Sequence, residues 1–261
     1  MDPTHVLLGV LAGGTIFLGL PVARLREVTT KTKAFLNATS VGILIFLLVE
    51  ITGHLLEEIE EHLEAAVEQG AGFSEVWTTG GLFALGFSLG LLGLVWFERR
   101  FLGSAKNGVA PKRRAEQVAM MIAIGLGLHN LSEGLAIGQG YASGALHLAW
   151  LLAIGFALHN ATEGFGIAAP LSGHRASWSF LGLTGLVAGG PTALGAFIGG
   201  WWTSEPLEVF CLALASGTIL YVVGELLHLG RQLKEESVVG VGLLVGFFVA
   251  LATDMILVAA K

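Results

Sequence analysis

The residues best able to do chemistry fall in two phrases thirty positions apart, His129-Asn130-Leu131-Ser132-Glu133-Gly134 and His159-Asn160-Ala161-Thr162-Glu163-Gly164. Each lies in the middle of an apolar run, and aligning 124–138 with 154–168 gives identical residues at Ile, Gly, Leu, His, Asn, Glu, Gly and Ile. A bilayer core takes about 20 apolar residues as a spanning helix, so an imidazole, a carboxamide and a carboxylate sit near half depth in each run. One ionisable side chain at that depth costs at least about 2.5–3.5 kcal/mol and marks a functional site by default. Helical residues four apart share a face, separated by about 6 Å in height. His129 and Glu133 therefore project together, as do His159 and Glu163, and each asparagine is turned about 100° away.

Two neutral imidazoles and two carboxylates form a four-ligand set of charge −2, which suits one divalent transition metal in charge and in its mixed nitrogen and oxygen character. The competing reading treats these side chains as glue between helices, worth about 0.6–2 kcal/mol per hydrogen bond. Glue accounts for one asparagine. It does not account for two buried glutamates when none of the apolar runs contains a Lys or Arg, because an unpaired buried carboxylate must stay protonated or find a cation.

The elements that must position these residues are membrane helices. The chain has 261 residues, is 54% hydrophobic and 13% charged, and has a mean hydropathy of +0.75; soluble domains carry about 25% charged residues. The composition predicts an all-α polytopic membrane protein, a single membrane domain over 1–261 with eight spans at about 5–23, 35–56, 77–97, 118–140, 146–169, 178–202, 207–229 and 238–260. Met1–His5 carry no positive charge, so the first run reads as a helix and not as a signal peptide. The 38 glycines fall largely inside the apolar runs, as in Gly86-x3-Gly90 and Gly242-x3-Gly246, where small residues let helices approach. The single cysteine, Cys211, excludes an intrachain disulfide and a Cys-cluster metal site.

Charge alternates along the connections. Arg24, Arg26, Lys31, Lys33, then Arg99, Arg100, Lys106, Lys112, Arg113, Arg114, then Arg175, then Arg231 and Lys234 place 13 of the 14 basic residues on one side, with Lys261 alone on the other. The positive-inside rule makes that side cytoplasmic and puts both termini outside, in a cell (inner) membrane. The opposite side carries Glu57, Glu58, Glu60, Glu61, Glu64, Glu68, Glu75, Glu205 and Glu208. Leu55, Leu56, Ile59, Leu63 and Ala66 recur at helical spacing, so the second helix is expected to continue beyond the membrane. Its acidic face is either a solvated extension or an electrostatic funnel for cations, with His54, Glu58 and His62 as weak collecting ligands.

Spans four and five run in opposite directions, so their phrases are expected to meet head to tail about a pseudo-twofold axis in the membrane plane, as at an inverted-repeat substrate site. A second echo flanks them: Gly42-x3-Phe46-x3-Glu50 resembles Gly217-x3-Tyr221-x3-Glu225, each followed by a histidine, His54 and His228. Glu50 and His54 are expected to line an outer mouth, Glu225 and His228 an inner one; carboxylates snorkelling at helix ends are the alternative. Asp254 reads as a snorkelling residue, and His5, His147 and His174 receive no role.

The paired phrases resemble the His-Asn-x-Pro-Glu-Gly motifs of the ZIP (Zrt/Irt-like) divalent metal transporters, especially the bacterial GufA-like branch. Ala215-Ser-Gly-Thr-Ile-Leu-Tyr-Val-Val-Gly-Glu225-Leu-Leu-His228 is similar to that family's seventh helix. The resemblance implies eight helices in a 3+2+3 inverted-repeat arrangement, a homodimer, and spans four and five moving as an elevator-like unit. It implies a principal site of His129, Glu133, His159 and Glu163, and an adjacent second site sharing both glutamates with Asn130 and Asn160. Ser132 and Thr162 stand where the motif has prolines, and Gly190 precedes Pro191 where a glutamate is frequent; one metal is therefore expected rather than two.

The function expected is uptake of divalent metal, zinc first with iron close behind and Mn, Co or Cd compatible with the same ligands. The metal is cargo and not a catalytic cofactor, and the protein is not an enzyme. Neither a nucleotide-binding motif nor a nucleic-acid partner is indicated. The rival from another class is a membrane-embedded metal-dependent hydrolase using the same ligands to activate water, but the chain lacks His-Glu-x-x-His.

Overall fold

The computed structural model describes residues 3–24, 29–70, 72–102, 111–171, 173–201 and 204–259. Arg26, Lys106, Lys261, Trp202 and Ala260, used above in the charge pattern and span limits, lie outside the described residues. Every predicted span is helical. α1 runs Thr4–Gly14 and continues through Ile16–Gly19 into a 3-10 segment, Leu20–Arg24. The others are α2 (Thr30–Glu68), α3 (Ser74–Phe97), α4 (Pro111–Ala142), α5 (Leu146–Leu171), α6 (Trp178–Gly199), α7 (Glu205–Gln232) and α8 (Glu236–Ala259). Among the described residues there is no strand.

Local chemistry sets several limits. Thr29 caps α2 by accepting from the Thr32 N–H at 3.1 Å, and Ser177 caps α6 by accepting from Phe180 N–H at 3.1 Å. Pro21 lacks a backbone N–H, and the end of α1 tightens to 3-10 around it. α2 has 39 residues, about 58 Å at 1.5 Å per residue, against a hydrocarbon core of about 30 Å. Its last turns therefore stand clear of the membrane, as the spacing of Leu55 to Ala66 predicts.

Among the described residues, seven helices are long and apolar enough to cross a membrane by composition; α5 is not among them. With 26 residues it is long enough. Its hydropathy is lowered by His159, Asn160, Thr162 and Glu163, the residues that the sequence singles out as a site.

Contacts fix which ends lie together. Arg24 donates to the Ala176 carbonyl at 2.5 Å, joining the end of α1 to the α5–α6 connection on the basic face. On the acidic face His62 of α2 lies 3.9 Å from Glu205 at the start of α7. The broadest helix contacts are α4 on α6, α2 on α8 and α3 on α7; α1 also packs on α5 and α6, and α4 on α5 and α7. Of the seven spans, α4 is the most buried, and α3 and α8 are the least.

These contacts are close because backbone meets backbone. At Gly134 an added Cβ would run into the Thr192 carbonyl of α6, and at Gly164 into the Ile16 carbonyl of α1. The final glycine of each phrase is thus a packing requirement that brings α4 onto α6 and α5 onto α1. Gly134→Val and Gly164→Val should each destabilise the fold by about 1–3 kcal/mol or more through overpacking, read as a lowered unfolding midpoint in detergent. Gly182→Ala, at a glycine with open space around it, should leave that midpoint unchanged or raise it.

Candidate metal centre

The two phrases meet in the interior of the bundle. His129, Glu133 and His159 each offer a ligand atom within 4.8 Å of the others. His129 Nε2 is 3.0 Å from Glu133 Oε1, and His159 Nε2 contacts the same oxygen. Glu163 Oε1 stands 4.0 Å from His129 Nε2. The imidazole rings are offset-stacked with centroids 6.3 Å apart. His129, Glu133 and Glu163 are at most 4% exposed and His159 is partly buried, so water does little to compensate the carboxylates.

The asparagines cross-brace the phrases. Asn130 donates to Glu163 Oε2 at 3.3 Å and to the Ala188 carbonyl of α6 at 3.1 Å. Asn160 donates to Glu133 Oε2 at 3.3 Å and to the Ala12 carbonyl of α1 at 3.3 Å. Each amide holds the other phrase's carboxylate while tying its own helix to a neighbour. Ser132 and Thr162, in place of the motif prolines, donate back to the His129 and His159 carbonyls at 2.6 Å each, and both helices stay continuous through the phrases.

Several atoms at this junction are left over. His129 Nδ1 and Nε2, Glu163 Oε1, Asn130 Oδ1 and Asn160 Oδ1 are buried without a hydrogen-bond partner among the described residues. His129 Nε2 has the distance to Glu133 of a hydrogen bond but not the direction. Buried polar groups normally find partners, and this set consists mostly of lone pairs with no Lys or Arg in ion-pair reach among the described residues. A divalent ion would supply the missing partner for several of them at once.

A cavity of about 270 Å³ leads from the centre toward the acidic face. It is lined by Glu50, His54, His129, Ser132, Glu133 and Glu208, with apolar residues between them. Beyond it a cavity of about 470 Å³ is lined by His54, Glu57, Glu58, Glu61, His62, Glu205 and Glu208. The predicted outer residues Glu50 and His54 are therefore brought to the centre, and His54, Glu58 and His62 to one vestibule. Glu225 and His228 are not brought to the centre: Glu225 is half-buried, His228 is exposed and paired with Gln232 at 2.9 Å, and the packed residues Met121, Ile122, Leu126, Val222 and Leu226 belong to a continuous core at that level.

Two residues of the cavities around the centre escaped sequence reasoning. Glu208 was one acid among many on its face; only the approach of α7 to α2 and α4 places it in the cavity. Asp254 shares with Glu50, His159 and Thr162 a smaller cavity between α2, α5 and α8. The 3- and 4-residue spacings that reveal a helix face carry no information about such pairings between distant helices.

A family model described as "ZIP Zinc transporter" matches residues 98–254, which span α4 to α7 and most of α8. No curated protein matches the chain.

Loss of one direct ligand should cost more than the roughly 10–100-fold typical of a supporting residue. Glu133→Gln should therefore weaken binding of a divalent metal to the purified protein by more than about 100-fold, measured by equilibrium dialysis. Asn160→Ala, which removes a brace, should fall within about 10–100-fold. Equal, negligible losses would show that neither side chain serves a metal.

Proposed function

The chain belongs to the ZIP zinc transporter family, and from that premise we propose that it takes up divalent transition-metal cations through the His129, Glu133, His159 and Glu163 centre on α4 and α5. Divalent metal transport is what the family does; the metal, the direction and the helices that carry it are this proposal's own. The observation that carries it is the succession of two ligand-bearing cavities, which share His54 and Glu208, from the acidic vestibule to the buried centre. Acidic walls raise the local concentration of cations. Glu50, His54 and Glu208 then replace part of the ion's hydration, and the buried set completes the exchange. The ion later leaves toward the basic, cytoplasmic face.

The helix contacts support an inverted repeat in a 3+2+3 order. Exchanging α1 with α6, α2 with α7, α3 with α8 and α4 with α5 turns the α4–α6 contact into α5–α1, α2–α8 into α7–α3, and α4–α7 into α5–α2, and each of these pairs is in contact. The asparagine braces obey the same exchange, Asn130 to Ala188 and Asn160 to Ala12. A symmetric scaffold with an open outer half and a packed inner half fits alternation between two faces, a feature with no use in a hydrolase. The set holds a single ion, because Gly190 supplies no further carboxylate. Zinc suits it best, with iron close behind.

Direct use of ATP is not part of this reading. A membrane potential of 100 mV supplies about 4.6 kcal/mol for a divalent ion moving inward, from about 2.3 kcal/mol per charge. Histidine ligands must be neutral to bind metal and lose that state on acidification. In reconstituted vesicles, saturable uptake of labelled zinc should therefore rise as external pH goes from about 5 to about 8, and Glu133→Ala should abolish it. Uptake that survives Glu133→Ala would contradict the proposed centre, and a flat pH profile would contradict histidine ligation.

A further inference from the structure

The cytoplasmic half contains a cavity that the site above does not use. It measures about 180 Å³ and is lined by Lys33 and Asn37 of α2, Ala169 and Pro170 of α5, and Leu229, Gln232 and Leu233 at the end of α7. Its position follows from the repeat. A shift of 175 positions carries Gly42, Phe46 and Glu50 onto Gly217, Tyr221 and Glu225. The same shift carries Lys33 onto Glu208, Asn37 onto Leu212 and His54 onto Leu229. Glu208, Leu212 and His54 line the outer cavity, where α4 supplies the wall that α5 supplies here. The two cavities are counterparts on opposite faces.

They differ in depth. The outer one reaches His129 and Glu133, whereas none of the four central side chains lines the inner one. Two hydrogen bonds close the gap. Asn37 donates to the Leu226 carbonyl of α7 at 2.9 Å, and the Ser40 hydroxyl is shared between the Thr162 carbonyl of α5, inside the second phrase, at 3.0 Å and the Leu36 carbonyl of its own helix at 3.1 Å. Leu171 and Leu226 are fully buried in the core at this level. At the mirrored outer positions stand Leu212 and Ala215, which have no polar group to form such a bond. Asn37 is 1% exposed, and its Oδ1 has no partner among the described residues.

We propose that cargo reaches the cytoplasm through this α2–α5–α7 cavity, and that Asn37 and Ser40 are the latch that shuts it while the outer path is open. The inference rests on the transport reading and adds where the ion leaves and what holds that door. Asn37 has two roles: its amide N–H group ties α2 to α7, and its Oδ1 offers a neutral oxygen to a cation once the helices part. The lip differs from the outer one in charge as well, Lys33 standing where the outer mouth has Glu208. A cation that has left is not drawn back, so release is not followed by rapid rebinding.

Thiol labelling tests the route. In a Cys211→Ser background, Gln232→Cys and Arg231→Cys are labelled in detergent with a cationic thiosulfonate and reconstituted, and zinc uptake is compared before and after labelling. A bulky fixed charge in the path should slow uptake at least about tenfold at position 232 and less than about twofold at 231, with zinc binding in detergent unchanged at both. Uptake indifferent to labelling at 232 overturns the route. Absence of saturable uptake in the unlabelled protein would instead sink the transport reading beneath it. Asn37→Leu, which copies the mirrored residue, tests the latch: amide exchange across residues 222–230 should quicken at least about threefold, and unchanged exchange overturns it.

Discussion

Two carboxylates buried at the depth of the lipid tails, with no lysine or arginine in any span to neutralise them, are the constraint on which the structure turns. Burial of an ion without a partner is so costly that a protein normally protonates it or removes it. Each glutamate is held by an asparagine from the other phrase, and both face imidazoles whose nitrogens are left free or shared. The junction is prepared for a positive charge and incomplete without one, which is what a site that must bind and then release a cation needs.

Keeping four polar side chains at that junction demands that the helices around it come unusually close. Gly134 and Gly164 allow α6 and α1 to lie directly against the backbones of α4 and α5, so the asparagines can reach the Ala188 and Ala12 carbonyls. Farther out, α2 with α8 and α3 with α7 meet through Gly42 and Gly246, and Gly217 and Gly90. Such contacts set backbone against backbone in place of interlocked side chains. Side-chain tethers among the described residues include Asn37 to the Leu226 carbonyl and Ser40 to the Thr162 carbonyl.

Much of this was legible in the sequence, for physical reasons. Membrane helices are long and uniform, so apolar runs located all eight. A repeated phrase spaced at 3.6 residues per turn fixed the faces of α4 and α5, and the distribution of Lys and Arg separated the two sides. The extension of α2 followed from the period of Leu55, Ile59 and Leu63. What stayed hidden depends on approaches between distant segments: Glu208 in the cavity at the centre, the cavity that Asp254 shares with Glu50, the packed core that keeps Glu225 and His228 from the centre, and Asn37, which reads as one polar residue near a helix end. In α5 the functional residues also blur the span that contains them, because the groups that make the centre are those that lower its hydropathy.

The central claim is that the buried His/Glu junction is where the cation sits. Crystals grown with zinc and measured on both sides of the zinc absorption edge would test it most directly, since anomalous scattering gives position, number and element together. The account predicts one peak enclosed by the side chains of His129, Glu133, His159 and Glu163. A peak confined to the acidic vestibule at Glu57, Glu58 and Glu205, with none at the junction, would contradict it.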